Sequence, residues 1–399
     1  MDMESNKLWP TFCIFCAFTI GGGTLSLPDS SSKVGIIPSL VTFFLIAGTF
    51  YIIYFSFIYA CEETSNLNYG GCINSYYNSK VAKLALITML FHCMILICNH
   101  QVRIISLIRF DLTWVGILDA KNYESDDFFL LDKYIILIII SIPLILFGKL
   151  EMMFSLKYFP VFSIVVWVYL ILLTVYVIAD GKTEPKIVWF SSQWNDLGQL
   201  EIVWNSVDAF AAIQCLPRVH KECNDPYIIR EAVRLVLFTV LILFSVTALL
   251  GSIFYVGSID NLQLIYFGIS KENLSEQFSI TMAIGIFGIA ISLIFSTLLL
   301  LHIAKLCWVQ IIHGISFDNE KVNHDKISFW LVGFVILIFI VCSNILNQIK
   351  YSMQISNLVI CLIFPLLIYL KMGDPGVHKI IFGVWISFLS IIEIIGLFY

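Results

Sequence analysis

The chain has very little charge. Only 13% of its 399 residues are Asp, Glu, Lys or Arg, about half the share found in water-soluble domains. Its net charge of -5 is spread over loops. It therefore offers no basic stripe for nucleic acid and no acidic tail for a disordered interaction arm. Also lacking are a nucleotide-binding P-loop, an HExxH helix, a GxSxG elbow and any pair of cysteines at zinc-like spacing. These absences argue against an ATP-driven pump and a lipid hydrolase. Linkers long enough for an extramembrane catalytic or signalling domain are missing too, so the expectation is a non-enzyme with no cofactor and no bound metal. The amino-terminal stretch lacks a small-residue cleavage site and has a lone Lys7 ahead of its apolar run, so no cleavable signal is expected. The short tail before that run leads to the expectation of no regulatory arm.

What remains is apolar. Hydrophobic residues make up 59% of the chain, with 33 Phe and 17 Tyr, and the mean hydropathy is +0.91. Apolar segments near residues 9–28, 36–61, 82–108, 133–148, 157–179, 202–217, 232–257, 278–308, 327–347, 353–371 and 376–398 predict about eleven transmembrane helices in an all-α membrane protein. Roughly 20 helical residues cross a hydrocarbon core of about 30 Å, and only the first and sixth segments are short and interrupted. With the amino terminus in the cytoplasm, the inner loops hold 14 of the 23 Lys and Arg. That bias predicts an integral, multi-pass protein with its amino terminus inside, a topology that a plasma membrane and a vacuolar/lysosomal membrane fit equally. Arg103 and Arg109 count on the outer side and Lys305 on the inner. The acidic third-to-fourth loop, with Asp119 and Glu124, and the single glycosylation sequon at Asn273 both fall outside. Nine of the eleven cysteines lie in or beside apolar runs and read as core packing, while Cys72 and Cys223 are placed in cytoplasmic loops.

The first interrupted segment carries the most information. It runs Thr19-Ile20-Gly21-Gly22-Gly23-Thr24-Leu25-Ser26-Leu27-Pro28. Each glycine costs about 1 kcal/mol in a helix interior and proline about 3 kcal/mol. An unwound helix is tolerated in a bilayer only where it lines a cavity or is buried in protein. Freed N–H groups at a new helix start point at an anion and freed carbonyls at a cation, matching the two ends of a zwitterion. Close packing through small residues is the alternative. Segment six, from Val207 to Glu222, is the second break, with Pro217 followed by Arg218, His220, Lys221 and Glu222. Arg218 and Glu222 are candidate gate residues, or part of a solvated positive-inside loop. Four uninterrupted helices separate the two breaks. This is the pattern of two five-helix repeats of inverted topology, each opening on a broken helix, spanning 1–179 and 180–371, with an added helix at 372–399.

Intramembrane ionisable groups are functional candidates by default. Asp208, one turn before the second break, is the leading candidate for ion coupling, against a hydrated place at the outer mouth. His92 and His100, eight residues apart on one helix face, read as a proton relay or as core histidines. Ser292, Ser296, Thr297 and His302 line one segment. The hydroxyls of Ser296 and Thr297 are candidate ion ligands unless they bond their own helix backbone. Glu393 is given a structural or interfacial role.

The residues also resemble a known family. Gly21 to Pro28 is similar to the GSGILGLP of the amino acid/auxin permeases, transmembrane carriers that include neutral and proton-coupled amino acid transporters. Ala209 to Glu222 resembles that family's FAFxCHxxxLPIYxEL, and Asn357 to Lys371 is similar to its tenth helix. The resemblance implies a fold like that of the bacterial leucine transporter and alternating access coupled to Na⁺ or H⁺. Ala17 stands where the family often has an Asn that helps hold substrate or sodium, which favours H⁺. Ala211 and Ala212 replace the family's His region, and the Pro-to-Glu spacing is one residue longer.

Three functions compete on these residues. The first is a secondary active symporter of small, neutral amino acids, acting as a monomer. Thr19, Gly21, Gly22, Gly23, Thr24 and Ala211 would hold the substrate, and Phe210 would cover it. The second is an uncoupled facilitator, and the third a transporter-derived sensor.

Overall fold

The structure, a computed structural model, describes residues 5–20, 22–114, 126–148, 153–156, 159–179, 188–190, 200–254, 276–314, 324–342, 354–373 and 376–395. The described residues contain helices and no strand. In order these are α1 (Ser5–Thr19), a 3-10 turn (Gly22–Ser26), α2 (Leu27–Val34), α3 (Ile36–Thr64), α4 (Tyr69–Tyr76), α5 (Ser79–Trp114) and α6 (Asp126–Phe147). There follow a second 3-10 turn (Met153–Leu156), α7 (Phe159–Ala179), α8 (Glu201–Phe210), α9 (Leu216–Cys223), α10 (Pro226–Phe254), α11 (Glu276–His313) and α12 (His324–Cys342). A π-helical stretch (Leu358–Ile363), α13 (Phe364–Lys371) and α14 (Val377–Ile395) complete the order. Each of the eleven apolar segments thus forms a helix or a broken pair, with α1/α2 and α8/α9 as the broken first and sixth members.

Burial is inverted relative to a soluble protein. Phe44, Ile138, Leu172, Phe238 and Ile380 are more than half exposed on the outside of the bundle, where only hydrocarbon would welcome them. Among the described residues, six helices are long and apolar enough to span a membrane, and the pair Lys7–Thr19 with Thr24–Val34, bent by 51°, forms one further candidate span.

The helices sort into two groups. α5, α6, α11 and α12 all pack on one another, α5 against α11 most extensively. Around α10 gather α1, α2, α3 and α9, with α8 lying on α2 and α3. α7 touches both groups through α11 and α1, and the π-helix and α13 do so through α5 and α3. The two breaks therefore lie in one group, and the 3-10 turn of the first also reaches α5 of the other.

Several sequence expectations need correction. The first segment does not end at Pro28. Pro28 sits in the first turn of α2, where its missing N–H removes no helical bond, and the helix continues to Val34 through polar residues that follow the apolar segment. Pro217 begins α9 in the same way, so the charged cluster after it is helical rather than a loop. Cys72 and Cys223 lie in α4 and α9 and are fully buried. Arg103 and Arg109 lie on α5, which runs on to Trp114, and Arg109 is buried. Lys305 is buried within α11, where its Nζ donates to the Gly148 carbonyl at 2.6 Å, a carbonyl that also accepts from Ser328 Oγ at 2.6 Å. Asp119, Glu124 and Asn273 lie outside the described residues.

α4 is bolted beneath the bundle. Asn68 caps it by accepting from the Gly71 N–H at 2.5 Å. Tyr69 donates to the Ile360 carbonyl of the π-helix at 2.9 Å, and Tyr77 to the Leu367 carbonyl of α13 at 2.8 Å. Tyr76 donates to Glu63 at 2.6 Å. Burial first, then that carboxylate, push the Tyr76 phenol above its ordinary range, so it stays a neutral donor.

The joint between α2 and α3 depends on glycine. Gly35 has φ of 96°, a region L side chains rarely adopt. A Cβ there would stand 2.8 Å from the Trp189 carbonyl oxygen. The adjacent Ile36 and Ile37 N–H groups donate to Val188 and Trp189 at 3.0 and 3.3 Å. Gly35→Ala should cost about 2 kcal/mol and lower the melting temperature of the detergent-purified protein by several degrees. An unchanged melting temperature would mean that the 188–190 strip yields without cost.

Candidate functional site

The first break forms because helical bonding runs out at Thr19 and Ile20. The Ile20 N–H makes the last α1 bond, to Cys16 at 2.7 Å, and three glycines follow. Thr19 turns its hydroxyl back to the carbonyls of Phe15 and Cys16, both at 3.1 Å. Thr24 Oγ1 crosses the break and donates to the Thr19 carbonyl at 3.2 Å. Both threonines are buried. The 3-10 turn packs on α8 and reaches α5, and Asn205 of α8 donates to Ser30 of α2 at 2.5 Å.

The second break is held by a side chain. α8 ends at Phe210, Ala211 is extended with φ -75° and ψ 103°, and helix resumes at Leu216. Tyr54 of α3, 2% exposed, donates its hydroxyl to the Phe210 carbonyl at 2.5 Å and accepts the Ala212 N–H at 2.7 Å. One hydroxyl therefore serves both a freed acceptor and a freed donor, which hydrocarbon would otherwise leave unmet. Beneath it, Phe210 stacks on Phe50 at 6.4 Å between centroids and meets Phe244 edge-on at 5.2 Å. Phe210 is thus packed against α3 and α10, inside its own helix group.

Charge collects above the breaks. Asp208 interacts electrostatically with Arg103 of α5 and with Glu393 of α14. Glu393 is 2% exposed, and its Oε1 has no hydrogen-bond partner. Of the structural and interfacial places expected for it, the burial excludes the interfacial one: α14 carries it inward, and the neighbouring Ile392 carbonyl accepts from Trp204 Nε1 of α8 at 3.0 Å. Three helices thus contribute ionisable groups to one buried region.

Beyond the second break, at the end of the bundle where α1 begins, Arg218 and Glu222 are joined, Nε to Oε1, at 2.7 Å, with side chains 15% and 3% exposed. The same Glu222 oxygen accepts the Met153 N–H at 3.0 Å, tying α9 to the turn between α6 and α7. Lys7 of α1 donates to the Cys223 carbonyl at 2.7 Å. Next to this latch, a cavity of about 300 Å³ runs in from the same side between α4, α5, α9 and α11, as far as Gln214 in the break.

No family model matches the sequence, and no curated protein matches it significantly. Solved structures do resemble the fold. A Na⁺-coupled sialic acid symporter in a substrate-bound, outward-open state superposes over 97% of this chain and 88% of its own, with TM-score 0.61 and 11% identity. A variant of the manganese transporter of Eremococcus coleocola matches over 98% and 86%, with TM-score 0.58 and 10% identity. The chain has the fold of these membrane transporters: all-α, five helices plus five plus one, helices one and six broken. Identities this low speak to fold alone.

In this fold the expected residues divide. Thr19, Gly22, Gly23 and Thr24 lie at the first break and Ala211 at the second, and the two breaks are brought together through the turn and α8. Gly21 lies outside the described residues. Asp208 lies in the last turn of α8, with two charged neighbours that the pattern did not pair with it. Arg218 and Glu222 are paired. Ser296 and Thr297 are buried on α11, but the Thr297 hydroxyl donates to Leu293 at 2.7 Å and lies 3.3 Å from His100 Nδ1. His92 Nδ1 pairs with Ser356 Oγ at 2.9 Å. These histidines bind α5 to α11 and to the π-helical segment, as core histidines do. Tyr54, Asn205 and Gln214 were missed because a lone Tyr, Asn or Gln in an apolar run carries no spacing signal.

Proposed function

We propose that the protein is a secondary active transporter of small, neutral amino acids. It works as a monomer by alternating access and couples to protons rather than sodium. The observation that carries this reading is the pair of broken helices, packed together in one helix group, with the turn of the first reaching the other. Their freed backbone groups can meet the ammonium and carboxylate of one substrate. The likeness of the first break to the amino acid/auxin permease motif supports amino acids as the substrate class. Asp208 supports proton coupling. It lies one turn from the break, and a carboxylate between Arg103 and Glu393 can take up and release a proton as its access to water alternates.

The test is uptake of a pool of radiolabelled small amino acids into proteoliposomes under an inward proton gradient, an inward sodium gradient, or neither. Saturable uptake accelerated by the proton gradient alone is expected. Asp208→Asn should remove that acceleration while leaving gradient-free exchange measurable, because only the coupling group is lost. Saturable uptake indifferent to both gradients would establish a facilitator. Binding without flux would establish a sensor.

A further inference from the structure

The cavity beside α9 is polar in a directional way. Its lining holds two cations, Lys221 and the Glu222-paired Arg218, while no carboxylate is itself among the lining residues. At its inner end lies Gln214, 5% exposed. Gln214 Nε2 donates to the Ala211 carbonyl at 3.4 Å. Its other amide atom, Oε1, is buried and has no hydrogen-bond partner. A buried acceptor left unmet costs about 1–3 kcal/mol, so the position calls for a donor.

Two other amides at the cavity wall have structural work. Asn68 Oδ1 caps α4, and Asn66 Nδ2 donates to the Thr64 carbonyl and to Ser75 Oγ at 3.1 and 2.8 Å. Of the four lining amides, which include Gln310, Gln214 is the one with a buried oxygen that lacks a partner. Arg218 and Lys221 lie on α9, which starts two residues after Gln214, and all three line the same cavity. An amide acceptor and two cations on one wall fit a molecule with a donor at one end and an anion at the other. At about 30 Å³ per water, 300 Å³ has room for such a molecule together with several waters.

We propose that this cavity is a second substrate station, separate from the paired breaks, which takes an α-amino acid on its way to or from the amino-terminal side. The ammonium donates to Gln214 Oε1 and the carboxylate faces Arg218 and Lys221. This inference rests on the amino acid reading above. Because the station opens to one side of the membrane, its loss is felt from that side.

The experiment measures exchange of radiolabelled L-alanine in proteoliposomes, with orientation assigned by protease access to an amino-terminal tag. KM is determined separately from each side. Gln214→Met keeps the volume and loses the acceptor. It should raise KM about tenfold from the amino-terminal side, the equivalent of one lost hydrogen bond to a charged group, and change it less than twofold from the other. Gln214→Glu keeps an acceptor at the same reach and should hold the amino-terminal-side KM within about threefold of wild type. Equal changes from both sides, or none, would overturn the station while leaving the transporter reading intact. Absence of alanine, glycine, serine and proline exchange in the wild-type protein would overturn both.

Discussion

Tyr54→Phe should give a folded protein that has lost most of its transport. The substitution removes one oxygen and keeps the ring that packs on Phe50 at 5.6 Å between centroids. It orphans two backbone groups at once, the Phe210 carbonyl and the Ala212 N–H. Each unmet buried group costs about 1–3 kcal/mol, so a loss of about 3 kcal/mol is expected, and the melting temperature in detergent should fall by roughly 5–10 °C. Uptake should fall at least about tenfold, since a shift of 1.4 kcal/mol in the geometry of a binding site already changes affinity by that factor. Thermal melting and initial uptake rates, measured on the same preparation, check both parts. A variant that melts and transports like wild type would mean that the break is held by something other than this hydroxyl.

Glu222→Ala should loosen the amino-terminal side. One carboxylate oxygen holds both the Arg218 guanidinium and the Met153 N–H in a site where the Glu222 side chain is 3% exposed. Removing a partner from a buried ion pair costs more than the pair itself contributes, because the remaining charge stays behind. A destabilisation of this closed arrangement by about 2 kcal/mol would shift its opening equilibrium by roughly thirtyfold. Cys215, fully buried in the second break, reports it. Its modification by a membrane-impermeant maleimide applied from the amino-terminal side, read by mass spectrometry, should accelerate at least about tenfold, while Glu222→Gln should give an intermediate rate. Unchanged labelling would show that the Lys7 contact to Cys223 suffices to hold α9.

Much of the architecture was legible before any coordinates. Length of apolar run is a nearly sufficient signal in a bilayer, because backbone groups there have no alternative to helical bonding, and all eleven segments formed helices or broken pairs. The first break was legible because three consecutive glycines and a following proline are costly in a helix, and the second because Pro217 and a charged cluster interrupt a short apolar run. Element ends were less so. Pro28 and Pro217 read as terminators, yet each starts a helix, since proline at a first turn sacrifices no bond. Glu393 read as peripheral from its distance along the chain, which says nothing about which neighbour α14 turns it toward.

Composition and periodicity alone determined that this is a multi-pass helical membrane protein with two interrupted helices, since hydropathy and helix-breaking cost are local properties of the chain. Only the tertiary structure decided that Tyr54 closes the second break, that Arg103, Asp208 and Glu393 share one buried region, and that Gln214 ends a cavity open to one side. Each of these depends on contacts between residues many tens to hundreds of positions apart. The pairing of such groups is set by how helices pack, and a single apolar run carries no record of the face it will present to a neighbour.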